Sequence, residues 1–230
     1  MPLHSLARLS PTAVLGLWRL TETPAELWRG LPQAAAYRAL APATADATRQ
    51  AQWVAGRVLV HELLAELLPG QLGQQLVVHN DATGRPWLAG AARGLLVSLS
   101  HSGAWVAAVL ARGGRAGVDV EMIRDKAQRL AGKFLATPEW AEALAATQKS
   151  PETASAHYTL LWSAKETLYK LAARRGIVFR EQLRLGSFAP QESGEIPATL
   201  MLNGALSRHC VCYFQPAPGY VLTYCYEPGA

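Results

Sequence analysis

Gly117-Val118-Asp119-Val120-Glu121 is the stretch on which the reading of this chain turns. Successive strand residues face opposite sides, so Val118 and Val120 are expected to turn to a core while Asp119 and Glu121 project together, about 6.6 Å apart along the strand. Just upstream, residues 105–111 (Trp-Val-Ala-Ala-Val-Leu-Ala) read as a strand, and Arg112-Gly113-Gly114-Arg115 suits a two-residue hairpin turn whose glycines tolerate positive φ. That hairpin would set Asp119 opposite Ala108. The plain alternative is an edge strand with its polar face in water. Aspartate is a poor strand residue, however, and its place between two valines suits a bound cation.

A third carboxylate joins these two from further along the chain. Residues 160–172 carry Leu161, Ala164, Leu168, Leu171 and Ala172 at helical spacing, which leaves Ser163, Glu166 and Lys170 on the other face. A Glu166 to Lys170 pair on a solvated helix side would be worth only about 0.3–0.5 kcal/mol. Magnesium, a hard cation, prefers about six oxygens and combines a few carboxylates with water and phosphate. Asp119, Glu121 and Glu166 would supply such oxygens, and crowded without a cation they would push a proton onto one of their number.

The two motifs, Gly117-Val118-Asp119-Val120-Glu121 and Trp162-Ser163-x-Lys165-Glu166-x-x-x-Lys170, stand in the order and at about the distance found in the 4'-phosphopantetheinyl transferases. Leu99-Ser100-His101-Ser102-Gly103 and Gly84-Arg85-Pro86 extend the likeness upstream. The chain resembles in particular the longer, single-chain (Sfp-like) type that activates surfactin-like synthetases, over roughly the middle of its length. The resemblance implies an α+β fold of two similar α/β halves related by a pseudo-twofold axis, with coenzyme A in the cleft between them. The boundary would fall near Gly114, so that residues 1–114 contact the coenzyme and residues 115–230 carry the metal-binding and catalytic motifs.

The activity so implied is Mg²⁺-dependent transfer of the 4'-phosphopantetheine arm of coenzyme A to a serine of an apo acyl or peptidyl carrier protein, an acidic partner, with release of adenosine 3',5'-bisphosphate. Asp119, Glu121 and Glu166 would hold the metal. Glu166 would also be the general base, Lys170 would meet the leaving α-phosphate, and Lys165 would be a second phosphate contact. Arg49 and Arg57, on a helix with the family's Ala-Gly-Arg segment, would face the coenzyme's phosphates; Gln52 stands at a position often basic in relatives. Arg85 would lie near the adenine and phosphate end, and His101 with Ser100 would bind the 3'-phosphate. The chain departs from the family pattern at residues 170–176, Lys-Leu-Ala-Ala-Arg-Arg-Gly. The family's single-chain members imply a monomer. Two readings from other classes compete: a catalytically silent module that binds coenzyme A or carrier proteins, and a basic nucleic-acid-binding protein.

Composition is compatible with all of these. Half of the 230 residues are apolar and 17% are charged, as in an ordinary globular protein. The net charge of +5 implies attraction to polyanions, but the arginines are scattered and no zinc-finger or ribonucleoprotein motif is present, which argues against nucleic acid. Residues 105–111 are far too short to span a membrane, and the N-terminus lacks a signal-peptide pattern, so a cytoplasmic protein is expected. Cys210, Cys212 and Cys225 lack a partner cluster in sequence, which suggests buried free thiols rather than a zinc site or disulfides. His61-Glu62 begins like a zinc-protease helix, but Ala65 stands where the second histidine would be needed.

Along the chain, strands are expected at 13–20, 75–79, 95–99, 182–188, 198–202, 209–214 and 220–226. A short helix falls within 24–45, and a long one capped by Asp46 runs to Pro69-Gly70. Helices are also expected at 125–136 and 138–146, and the motif helix should end at Arg174-Arg175-Gly176, where cations and glycine suit a C-terminus. Ser100 to Gly103 would form a turn.

Overall fold

A computed structural model describes residues 3–42, 44–70, 76–90 and 94–229. They are mixed α and β, and fall into two compact units: Met1–Ala116 with Tyr226–Ala230, and Gly117–Cys225. No described helix is long and apolar enough to cross a membrane.

The first unit is built on a four-stranded antiparallel sheet. β1 (Leu3–Ser10) pairs with β2 (Ala13–Arg19); β6 (Trp105–Arg112) then lies between β2 and β5 (Leu95–Ser102). Two short helices, α1 (Pro24–Gly30) and α2 (Ala34–Arg38), precede the long α3 (Ala47–Leu67). Asp46 caps α3 as expected, its carboxylate accepting from Arg49 N at 2.8 Å. The helix is buried on most of its circumference, because Val54, Val58, Leu59, Leu63 and Leu64 pack with Val14, Val106 and Leu110 of the sheet. A small hairpin, β3 (Val77–Asn80) with β4 (Pro86–Ala89), completes the unit. The strand expected from Gln75 starts at Val77; Gln75 itself lies outside the described residues.

In the second unit β7 (Arg115–Met122) is followed by α4 (Lys126–Arg129), α5 (Ala131–Phe134) and α6 (Thr137–Lys149). A single 3-10 turn leads into α7 (Ala154–Ala172), and α8 (Phe179–Gln182) precedes β8 (Leu183–Leu185). β9 (Ser193–Leu202), β10 (Ala205–Phe214) and β11 (Tyr220–Glu227) complete a five-stranded sheet of order β7-β11-β10-β9-β8. The central α7 packs Leu160, Leu161, Ala164, Leu168 and Leu171 against Ile196, Val211 and Val221 of that sheet.

The expected hairpin between residues 105–111 and the 117–121 strand does not form. β2 and β5 take both edges of β6, and β7 pairs with β11 instead, so Asp119 has no partner in Ala108. Gly113 and Gly114, with φ of 75° and 77°, pass the chain from one sheet to the other. β7 is an edge strand, but Asp119 is only 4% exposed, so its polar face is not in water.

Other boundaries moved for local reasons. His101 and Ser100 lie on the end of β5 rather than in a turn, with His101 across from Val106; the turn is Gly103-Ala104. The helix expected at 125–136 breaks at Leu130, and α7 stops at Ala172 because Ala173 adopts a left-handed φ of 54°, before Gly176 is reached. β9 and β10 are longer than expected, joined at Asn203-Gly204, a dipeptide suited to the left-handed conformations both adopt. Of the cysteines only Cys225 is buried; Cys210 is exposed and Cys212 half-buried.

Candidate active site

The first glycine of the Gly-Val-Asp-Val-Glu motif fixes where strand and helix meet. A Cβ on Gly117 would lie 2.1 Å from Thr167 O and 3.0 Å from Leu171 N, so α7 can cross β7 at this point only because no side chain intervenes. The crossing is locked by a buried hydroxyl network. Ser163 Oγ lies 2.9 Å from Thr223 Oγ1, Thr167 Oγ1 lies 2.7 Å from the same oxygen, and Thr167 also donates to Thr223 O at 3.1 Å. Ser163 therefore joins α7 to β11 rather than facing water.

Two residues past Gly117, Asp119 meets the last turn of α7. Lys170 Nζ donates to Asp119 Oδ1 at 2.8 Å and to Val118 O at 2.9 Å. The lysine side chain remains 24% exposed. Glu121, the next residue on that face, accepts from Trp162 Nε1 at 3.1 Å. Trp162 is held in turn by Phe179, stacked at 5.7 Å, and by Phe134, edge-on at 5.2 Å. Trp162 thus packs between the two rings and steers Glu121.

Glu166 shows that the three carboxylates share one electrostatic environment. Its pKa is raised from 4.5 to about 7, chiefly by burial, then by the charge of Asp119 and more weakly by that of Glu121, with Lys170 opposing them. Lys170 thus neighbours both Asp119 and Glu166. The oxygens do not all lie within 4.8 Å of one another, as those of a finished cage would. All are hard donors, and the one charge of Lys170 offsets only part of theirs, which fits a divalent cation completed by water and phosphate.

Lys165 is a correction. The resemblance implied a phosphate contact for it, but its side chain is 0% exposed and its ammonium is fully engaged. Nζ lies 2.6 Å from Glu139 Oε2 and donates to Leu183 O at 2.8 Å and Phe134 O at 2.9 Å. Burial pulls its pKa down while Glu139 holds it up. The same Glu139 accepts from Ala136 N at 2.6 Å, closing the N-terminus of α6, and from Leu185 N at 2.7 Å on β8. Lys165 and Glu139 are a buried junction between α6, α7 and β8. Sequence reasoning missed Glu139, whose visible signal was only its place three residues after Ala136 in a helix start.

The phosphate-ligand candidates of the first unit are arranged around α3. Arg49 is exposed on its first turn, and Arg85 and His101 are exposed as well, with Ser100 half-buried. Arg57 is not a surface arginine: it is 5% exposed, lies 3.9 Å from the Trp53 ring centre, and donates to Trp53 O at 3.2 Å and to Asn80 Oδ1. Burial lowers its pKa to about 10. Asn80 passes the connection on, donating to Gly84 O at 2.7 Å in the turn before Arg85, whose own N–H is held by Asp81. Gln52 donates to Gly103 O at 2.9 Å, tying α3 to the turn beyond Ser100 and His101. His61 has a structural partner too: Tyr37 accepts from Val78 N at 2.8 Å and lies 3.0 Å from His61 Nε2, and burial lowers the imidazole pKa to about 4.

Known proteins share this stretch. Residues 115–225 match the profile of the 4'-phosphopantetheinyl transferase superfamily. The chain is 35% identical over 124 residues to the 4'-phosphopantetheinyl transferase AcpT of Salmonella typhimurium, and likewise to AcpT of Salmonella typhi; the match covers 53% of this chain and 58% of each relative. The chain thus spans little more than half the length of these curated relatives. Both motifs fall inside the matched stretch, residues 115–225, which is similar to the 4'-phosphopantetheinyl transferase superfamily and holds the crossing of α7 over β7 at Gly117.

Proposed function

We propose that this protein transfers the 4'-phosphopantetheine arm of coenzyme A to a serine hydroxyl of an apo acyl or peptidyl carrier protein. The observation that carries this reading is the electrostatic coupling of Asp119, Glu121 and Glu166 beside Lys170. In the reaction the serine oxygen bonds to the β-phosphorus. The bridging phosphorus–oxygen bond breaks, and its electron pair leaves on adenosine 3',5'-bisphosphate. Such transfers depend mainly on positioning and charge neutralisation.

Asp119, Glu121 and Glu166 would hold Mg²⁺, which when bound neutralises charge on the pyrophosphate. Glu166 takes the proton released by the serine. Lys170, whose side chain is part-exposed, meets the charge that develops on the departing phosphate. Trp162 keeps Glu121 turned to the site through its indole N–H. The exposed Arg49, Arg85 and His101, with Ser100, are offered to the coenzyme's remaining phosphate and adenine. Arg57 is assigned a supporting role through Asn80, since it is buried and both of its terminal nitrogens are engaged. Lys165 has no part in phosphate binding.

The test is the mass of a purified apo-carrier protein after incubation with this protein, coenzyme A and Mg²⁺. Gain of one phosphopantetheine arm supports the proposal. Coenzyme A binding without any mass gain would point to a silent binding module, and salt-sensitive retention of DNA or RNA without coenzyme binding to a nucleic-acid protein.

A further inference from the structure

The Cys-x-Cys pair of β10 has a partner that only the strand register reveals. Cys210 and Cys212 are two residues apart on one strand and so point to the same side of the sheet. On β9, Glu195 lies directly across from Cys212. The two Sγ atoms and a Glu195 carboxylate oxygen lie within 4.8 Å of one another, and Cys210 Sγ donates to Glu195 Oε2 at 3.3 Å. On the other flank, Tyr224 of β11 pairs with Cys212 in register and is hydrogen-bonded to its sulfur. Cys210 and Glu195 are exposed and Cys212 half-buried, so an ion could reach all three from solvent.

We propose that Glu195, Cys210 and Cys212 form a surface site for one thiophilic divalent ion of the zinc type, separate from the carboxylates of the active site. Two sulfurs and one carboxylate oxygen are a donor set that Zn²⁺ takes and that Mg²⁺, a hard cation, does not. Binding replaces two S–H protons, which pass to solvent, with two metal–sulfur bonds; no electron is transferred. Three protein donors leave a fourth tetrahedral position for water. A disulfide is the poorer use of the pair. Two residues apart on a strand, their Cα atoms are about 6.6 Å apart, at the far end of the range a disulfide bridges, and their side chains run parallel.

The experiment titrates the reduced, metal-free, full-length protein with Cd²⁺, the spectroscopic probe for Zn²⁺, following thiolate-to-cadmium charge-transfer absorption. One equivalent per chain is expected to saturate the band, and Zn²⁺ to abolish it by competition. Cys210→Ser and Cys212→Ser should each lose the band, while Glu195→Gln should weaken the affinity by about tenfold or more. Cys225→Ser, which changes the buried thiol, should leave the band unaltered. Circular dichroism of each variant checks that it is folded, which substitutions at exposed or half-buried positions should permit. A wild-type protein with no band at one equivalent, a band that survives in the two serine variants, or a Cys210–Cys212 disulfide that forms in air and does not respond to metal would overturn the proposal.

Discussion

At the scale of single residues, the two lysines of the Trp-Ser-x-Lys-Glu-x-x-x-Lys motif have parted ways. Lys170 reaches Asp119 and is part-exposed; Lys165 is buried on Glu139. Lys165→Met should therefore leave an uncompensated buried carboxylate, costing about 3–5 kcal/mol, read as a lowered urea midpoint. The folded fraction should keep its KM for coenzyme A; a raised KM at unaltered stability would return Lys165 to the substrate. His61 makes a second prediction. Its folded pKa of about 4 lies below the ordinary 6.5, so the unfolded chain takes up the proton first as pH falls. The neutral imidazole's contribution is complete above pH 6.5 and is lost as pH drops toward 4, by at most about 3 kcal/mol. His61→Asn, less stable overall, should show a shallower decline over that interval in denaturation curves taken across pH; an unchanged slope would refute the assignment. The sequence made Asp119 legible because a carboxylate between two valines is conspicuous, and Glu166 legible through the resemblance of the two motifs to a known family. It concealed the fate of Lys165, since the deciding carboxylate is on another helix and no periodicity connects the two.

At the scale of elements, the site depends on the crossing of α7 over β7. Gly117→Ala would press a methyl group onto the Thr167 carbonyl, 2.1 Å away. Separation of helix and strand should cost about 1–3 kcal/mol and move Lys170 from Asp119, so that thermal stability and carrier-protein loading fall together. Wild-type values for both would show that the strand has room this geometry denies it. α3 and α7 were readable from capping and apolar spacing, and β11 from its apolar run. The partners of the strands were not: Gly113-Gly114 has the chemistry of a hairpin, yet β2 and β5 had taken both edges of β6, and nothing local to residues 105–122 records that. Pro197 made β9 look shorter than it is, although the strand continues through it in register with Cys210.

At the scale of the whole molecule, each of the two units has its own hydrophobic core, and the motif residues Asp119, Glu121, Glu166 and Lys170 all lie in the second. The net charge of +5 is global, whereas the proposed reaction centre is locally acidic; a cation is what reconciles that acidity with a pyrophosphate. Mixed α and β structure was legible from alternating helical and strand periods, while sheet membership required long-range pairing that no single stretch encodes. The most direct test of the central claim is the rate of carrier-protein loading as Mg²⁺ is titrated into the wild type and into Asp119→Ala and Glu166→Ala, each confirmed as folded by circular dichroism. The account predicts saturable Mg²⁺ activation of the wild type, with a loss of about a hundredfold or more in both variants. Loading by either variant at the wild-type rate and with the same Mg²⁺ dependence would contradict it.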